Sequence, residues 1–310
     1  MTLNGAPKIF VVGIGSGNDE DMTNKAITAI ASATVVVGYT KYIELIAERI
    51  SGKRIISTGM TQEVKRCDEA VRLAAAGETV AVVSGGDAGV YGMAGLLLER
   101  VDAFRKGGGL LDEKAAEVDE KIAEVDEKAE GSVYVEPTEN AETAEREGDV
   151  ELTKTADARE YKRIAYANGI DVEIIPGVTA ALSGAAALGA PLSHDFCVIS
   201  LSDILTPQEL IDRRAEAIGM GDFCCAVYNP MSKGRRDKLS RLCDILLKHK
   251  SPDTICGFVR NIGRKNEAKR ILTLCELRDA KVDMSTTIFI GNASTKVING
   301  KMVTPRGYCI

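Results

Sequence analysis

The sequence predicts an α/β fold made of two units, each a sheet covered by helices, and three observations carry that reading. Short apolar, β-branched runs end in glycine-containing loops: 8–12 into Gly13–Gly17, 80–83 into Ser84–Gly89, and 172–175 into Pro176–Ala180. The run at 80–83 is fully apolar, which marks a strand buried on both faces, as in parallel sheets. Segments of helical period lie between the runs, and that alternation means a largely parallel sheet with helices packed on it. After Gly189-Ala190-Pro191, which reads as a linker, a second alternation begins at Phe196. The expected division is 1–188 and 192–310.

In order, the run at 8–12 enters the loop Gly13-Ile14-Gly15-Ser16-Gly17. A dinucleotide fingerprint needs GxGxxG and an acidic residue roughly 20 positions on. The spacing here is GxGxG, and the second strand, 34–38, ends in Tyr39-Thr40-Lys41 with no carboxylate before Glu44, which counts against a nicotinamide oxidoreductase. Asp19–Asp21 supplies helix-start signals for a helix over 22–32. Residues 42–50 read as a helix and 53–56 as a strand. An amphipathic helix over 61–76 closes at Gly77. The strand 80–83 breaks into Ser84-Gly85-Gly86-Asp87-Ala88-Gly89, where paired glycines let a backbone approach a ligand closely. Ligands in open α/β sheets sit at that carboxyl edge of the strands. A helix over 92–104 follows.

Residues 107–155 interrupt the pattern. They contain a seven-residue repeat, EKAAEVD then EKIAEVD, whose Glu117/Lys121 and Glu124/Lys128 pairs support a short helix. The rest of the segment is acidic and poor in large apolar residues, which reads as a solvated, mobile insertion. Residues 112–151 carry sixteen acidic and four basic residues, a net −12, so the chain's overall −6 leaves +6 elsewhere. A mildly basic remainder suits an anionic ligand. It is too small and scattered to favour a nucleic-acid surface.

A helix at 157–168, the strand 172–175 and a small-residue helix over 181–188 complete the first unit. In the second, strands are expected at 196–201, 223–228, 254–259 and 287–291. Ser202-Asp203 and Thr206-Pro207 read as start signals for a helix near 207–218. Lys233, Arg235, Arg236 and Lys238 lead another helix, to residue 248.

Composition excludes several classes. The eight cysteines form no CxxC pair and there are two histidines, so no metal site is expected. Scattered cysteines fit a reducing cytoplasm, mostly as small buried hydrophobes. The N-terminal apolar run is too short for a signal-peptide core, and no stretch reaches membrane length.

The ordered series VGIGSG, SGGDAGVYGMA, IPGVTAA, VYNP and GFVRNIGR resembles the tetrapyrrole methylase family over nearly the whole chain apart from 107–155. Within that family, APLSHDFCVISLSD, VYNPMSKGR, TTIFIGNAST and MVTPRGY resemble the C17-methyltransferases of the cobalamin pathway. The resemblance implies two α/β domains with a cofactor cleft between them, S-adenosylmethionine as methyl donor with S-adenosylhomocysteine as product, and a homodimer. It implies C17 methylation with ring contraction of precorrin-3B or cobalt-factor III, with any cobalt carried by the substrate. Alternatives are a methylase of the same fold with another position specificity, or a non-catalytic corrinoid-binding protein.

By resemblance, the cofactor contacts fall on Ser16, Gly85, Gly86, Asp87, Val90, Thr179, Ala180, Asn229 and Ile262. Ring contraction needs proton transfers. His194 is the first candidate, as the histidine between the units that titrates near neutral pH; Asp195, Ser202 and Asp203 follow. The substrate's carboxylates are expected to meet Arg235, Arg236, Arg260, Arg264 and Lys265, arginine being suited to bidentate carboxylate binding.

Overall fold

The computed structural model describes residues 7–107, 169–231 and 237–308. The acidic segment at 108–155, the helix expected at 157–168, and Arg235 and Arg236 lie outside the described residues.

The first unit comprises β1 (Lys8–Gly13), α1 (Asn24–Ser32), β2 (Val35–Tyr39), α2 (Thr40–Leu45), β3 (Arg54–Thr58), α3 (Glu63–Ala75), β4 (Thr79–Ser84), α4 (Ala94–Arg105), β5 (Asp171–Ile175) and α5 (Ala180–Leu188). Its strands form one sheet in the order β3-β2-β4-β1-β5, with every pair parallel. Side chains alternate between two cores, as strand geometry requires. Ile9, Val11, Val80 and Val82 face one core with Cys67 and Leu97 from α3 and α4. Val12, Ala81 and Val83 face the other, with Ala26, Ile30 and Ile43 from α1 and α2. The helix expected over 42–50 is instead α2 followed by a 3-10 turn at Ala47–Ile50. Thr23 caps α1 by accepting from the Ala26 amide at 3.1 Å. Gly77 leaves α3 in the left-handed region at φ 95°.

The second sheet takes β7 (Phe196–Ser200), β8 (Cys224–Tyr228), β9 (Ile255–Arg260), β10 (Ala268–Thr273) and β11 (Thr286–Ile290), in the order β10-β9-β11-β8-β7. Only β7 and β8 pair in parallel; β11 is antiparallel to both its neighbours, and β10 is antiparallel to β9. The short connection from β9 to β10 has no crossover helix, so it returns the chain antiparallel. Strand β10 has no clear strand pattern in the sequence because Lys269 and Arg270 lie on it, charges that suit a sheet edge. Helices α6 (Gln208–Met220), α7 (Lys238–Leu246) and α8 (Leu274–Arg278) cover one face. On the other face, Ala226, Val259 and Phe289 meet Ala181, Ala185 and Leu188 of α5.

Two local readings change. The Gly189–Pro191 linker contains β6 (Gly189–Ala190), which pairs in parallel with β13 (Lys301–Val303) of the hairpin it makes with β12 (Lys296–Ile298). Helix α6 has no side-chain cap at Pro207, and Ser202 and Asp203 lie in the irregular segment before it.

Of the cysteines, Cys67, Cys224, Cys225, Cys243 and Cys256 are buried free thiols, Cys197 is half-buried and Cys275 exposed. Burial pushes the Cys67 and Cys243 thiols up to about 12, so they serve as apolar packing. No helix among the described residues is long and apolar enough to cross a membrane. Among those residues, no group of three or more His, Cys, Asp or Glu is arranged to hold a metal ion.

Candidate active site

Parallel strands deliver their carboxyl ends to one edge, and at this edge three loops meet through bare backbone. The loop after β1 and the loop after β4 exchange hydrogen bonds: the Gly15 amide donates to the Gly86 carbonyl at 3.0 Å and the Gly86 amide to the Gly15 carbonyl at 2.7 Å. Both glycines are left-handed, at φ 61° and 65°. The loop after β5 closes on the pair. A Cβ on Gly177 would collide with the Gly86 carbonyl oxygen and lie 2.7 Å from the Gly13 carbonyl. No flexible side chain is involved, so glycine is required for the three main chains to touch.

Asp87 locks this contact. Its Oδ1 accepts from the Gly89 amide at 2.8 Å and its Oδ2 from the Gly177 amide at 2.9 Å. The carboxylate joins the loops after β4 and β5, and each such charge-assisted bond contributes about 1.5–3 kcal/mol. Gly85 abuts the Tyr42 ring, where a Cβ would be 2.7 Å from Cε1 and Cζ. Tyr39 meets that ring edge-on at 5.3 Å between centroids. Burial pushes the Tyr42 phenol above its usual range.

The second sheet brings side chains to the same place. Because β11 is antiparallel to β8 and β9, the carboxyl ends of β7, β8 and β9 share one edge. Tyr228, at the end of β8, reaches the start of α5, the helix that packs on this sheet. Its hydroxyl accepts from the Ala181 amide at 2.8 Å and pairs with the Thr179 hydroxyl at 2.5 Å. It therefore caps the first turn of α5, and burial raises its phenol pKa. Gly86 faces Thr179 and Ala180: a Cβ added to it would lie 3.5 Å from the Thr179 Cα and 3.7 Å from the Ala180 amide nitrogen. Asn229 is left-handed at φ 51°, and its Nδ2 donates to Ser200 Oγ at 2.9 Å. Ile262 packs under α5 against the bare face of Gly184. The loop that carries it also crosses to the first glycine loop, where Gly263 abuts the Ser16 side chain. Ser16 donates its hydroxyl proton to Asp21. Val90 is half-buried, its amide directed to the Asp87 carbonyl at 3.3 Å.

Ser16, Gly85, Gly86, Asp87, Val90, Thr179, Ala180, Asn229 and Ile262 thus converge on one edge, with glycines wherever main chains must touch. A ligand held mainly by backbone amides and carbonyls, such as an adenosyl amino acid, fits this donor set.

The expected acid–base residues separate. His194 and Asp195 precede β7, where the Asp195 carbonyl accepts from the Cys224 amide at the start of β8. Ser200, Tyr228 and Asn229 lie at the other ends of these strands, roughly 16 Å away for five residues of β-structure. His194 Nδ1 accepts from the Asp195 amide at 2.8 Å, and its side chain faces solvent. The structure therefore does not bring the histidine to the loop edge, since β7 carries the chain away from it. Ser202 and Asp203 do lie there. Asp203 is paired with the largely buried Lys238 at 2.6 Å. Of the expected carboxylate partners, Arg260 is paired with Asp283 at 2.8 Å, whereas Arg264 and Lys265 are exposed on the β9–β10 loop.

Sequence reading passed over Tyr228, Tyr42 and Gly177. Each stands in or beside a quoted motif, but only a partner far along the chain reveals its task. It also passed over Arg66, whose guanidinium is buried with its nearest carboxylate, Glu63, at 3.9 Å and hydrogen-bonds Thr58 and the Gly59 carbonyl.

A family model described as Tetrapyrrole (Corrin/Porphyrin) Methylases matches residues 8–108 and 147–278. A probable cobalt-factor III C(17)-methyltransferase of Salmonella typhimurium is 38% identical over 97% of this chain and 100% of its own length. A precorrin-3B C(17)-methyltransferase of Sinorhizobium sp. is 31% identical over 97% of this chain and 96% of its own. The crystal structure of the methyltransferase CobJ superposes with a TM-score of 0.71 at 31% identity, covering 96% of this chain and 99% of that one.

Proposed function

We propose, from the premise that the chain belongs to the tetrapyrrole (corrin/porphyrin) methylase family, that it is the C17-methyltransferase that contracts the ring in cobalamin biosynthesis. The full-length match to the Salmonella protein carries this reading. The greater identity to the cobalt-factor III enzyme than to the precorrin-3B enzyme favours a substrate that already holds cobalt. The division into two sheets supports two domains, with the proposed bounds 1–188 and 192–310 although α5 packs on the second sheet, and the homodimer expected from the resemblance belongs to the same proposal.

S-adenosylmethionine, the family's methyl donor, supplies a sulfonium methyl for in-line attack by a ring carbon. The work of the chain is alignment and exclusion of water. Gly85, Gly86 and Asp87 form the floor of the cofactor site, the Asp87 clasp keeping that floor rigid. Thr179, Ala180 and Asn229 form its far wall, held in place by the Tyr228 hydroxyl. Ser16, Val90 and Ile262 complete it. Arg264 and Lys265, together with Arg235 and Arg236, are the cations offered to substrate carboxylates. Arg260 joins them if it leaves Asp283. For the proton transfers of contraction, the position of Ser202 and Asp203 at the loop edge favours them over His194 and Asp195.

Incubation with methyl-labelled S-adenosylmethionine and cobalt-factor III tests the reading. Mass and NMR analysis should show one label at C17 and a contracted ring. Label at another position, or without contraction, sinks it. His194→Ala should keep near-wild-type turnover in that assay, and loss of contraction with methylation intact would restore the histidine as acid–base group.

A further inference from the structure

The turn after the Asp87 clasp carries an aromatic residue that cofactor binding does not explain. Tyr91 has φ 52°, an outlier for a bulky side chain, and such strain persists where surrounding structure enforces it, commonly at ligand clamps. Its ring lies against that of Tyr228, with centroids 5.2 Å apart at an interplanar angle of 55°. The Tyr91 hydroxyl extends toward the Val198 carbonyl of β7 at 3.5 Å. Strand β7 is the free edge of its sheet, so a tyrosine there could serve as edge cover. An edge cover would bury its ring, yet Tyr91 stays 57% exposed.

Helix α6 presents a cation on the same free edge. Ile211, Ala215 and Ile218 face the core. Asp212 and Glu216, one turn apart, bind Arg241 and Lys248 on the α7 side. At 100° per residue, Arg214 falls on the opposite flank, toward the free edge of β7. It is exposed and forms no ion pair with another described residue. It is also close enough to Tyr91 to pull its phenol pKa down against the rise from burial and Cys225. Ile204 and Leu205, on the loop between β7 and α6, are exposed as well. An apolar surface beside an unpaired guanidinium suits a flat ligand with a charged rim.

We propose that Tyr91 and Arg214 form a subsite for the tetrapyrrole, the Tyr91 ring supporting the macrocycle plane and Arg214 pairing one peripheral carboxylate. This rests on the C17-methyltransferase reading, which supplies the flat polycarboxylate. Tyr91 touches the cofactor turn through Val90 and the second sheet through Tyr228, so the subsite sets the macrocycle against the methyl donor.

Steady-state kinetics with cobalt-factor III test it in the full chain. Arg214→Gln and Tyr91→Leu should each raise the tetrapyrrole KM by about tenfold, with kcat, the S-adenosylmethionine KM and Tm unchanged. Arg214→Lys should recover part of the affinity, and Tyr91→Phe should stay within about twofold of wild type. A tetrapyrrole KM within twofold of wild type for either Arg214→Gln or Tyr91→Leu overturns the subsite. So does a KM rise in Tyr91→Leu that comes with a fall in Tm, which would mark Tyr91 as edge cover. If the wild-type chain itself does not methylate cobalt-factor III, the reaction reading fails and the subsite fails with it.

Discussion

The two sheets reach the same edge by different means. In the first, all strands run parallel, and three loops touch through main chain with one carboxylate as clasp. In the second, every strand pair but β7–β8 is antiparallel, and the edge is organised by side chains: the Tyr228 hydroxyl on α5, Asn229 on Ser200, and Arg260 on Asp283. A main-chain junction tolerates no added atom, because backbone cannot rotate out of the way. A side-chain junction can lose a group and keep its shape.

The difference can be broken most sharply at Gly177. Gly177→Ala should destabilise the protein by about 3 kcal/mol and abolish cofactor binding, because its Cβ meets fixed backbone of Gly86 and Gly13. Urea unfolding and calorimetry check this. A stable variant that binds S-adenosylhomocysteine normally would show that the loops are not packed as tightly as the backbone contact implies.

Tyr228→Phe sharpens the contrast on the other side. It removes one hydroxyl and leaves the Ala181 amide without its cap, which should cost about 1 kcal/mol and weaken cofactor affinity less than Gly177→Ala does. Equal losses in the two variants would erase the distinction between the junctions.

The smallest effect lies away from the loops. Glu173 on β5 accepts from Lys25 and Lys8, which hold its carboxyl down at about 2, below the ordinary 4.5. A depressed folded-state pKa means the contribution is present above about pH 4.5 and is lost as pH falls toward 2. Exposure makes it weak and salt-sensitive. Across that window, wild-type Tm should fall slightly further than that of Glu173→Gln. Parallel curves would mean that the charged clasp contributes nothing to holding β5 on β1.

Much of this was legible in the sequence. Apolar runs broken by glycine located β1 and β4, because a strand buried on both faces leaves little room for polar residues, and the Pro176-Gly177 break located the edge strand β5. The charged edge strand β10 and the β12–β13 hairpin were not legible, since strands exposed on one side are too mixed in composition to stand out. Within the site, the loops were legible and the division of labour among their residues was not. Asp87 reads locally as a cofactor contact, but its second oxygen binds an amide ninety positions away. Tyr228 reads as the residue before Asn229, but its hydroxyl caps α5 at an amide 47 positions earlier in the chain.

The sequence by itself determined the sheet-and-helix class, the order of the five strand-end loops and the need for glycine in four of them, because burial and backbone freedom are local demands on residue type. Only the tertiary structure decided which loops touch, where His194 falls relative to them, and that Tyr91 and Arg214 share one edge. Those outcomes depend on strand direction and on pairings between residues far apart in the chain, which no local pattern encodes.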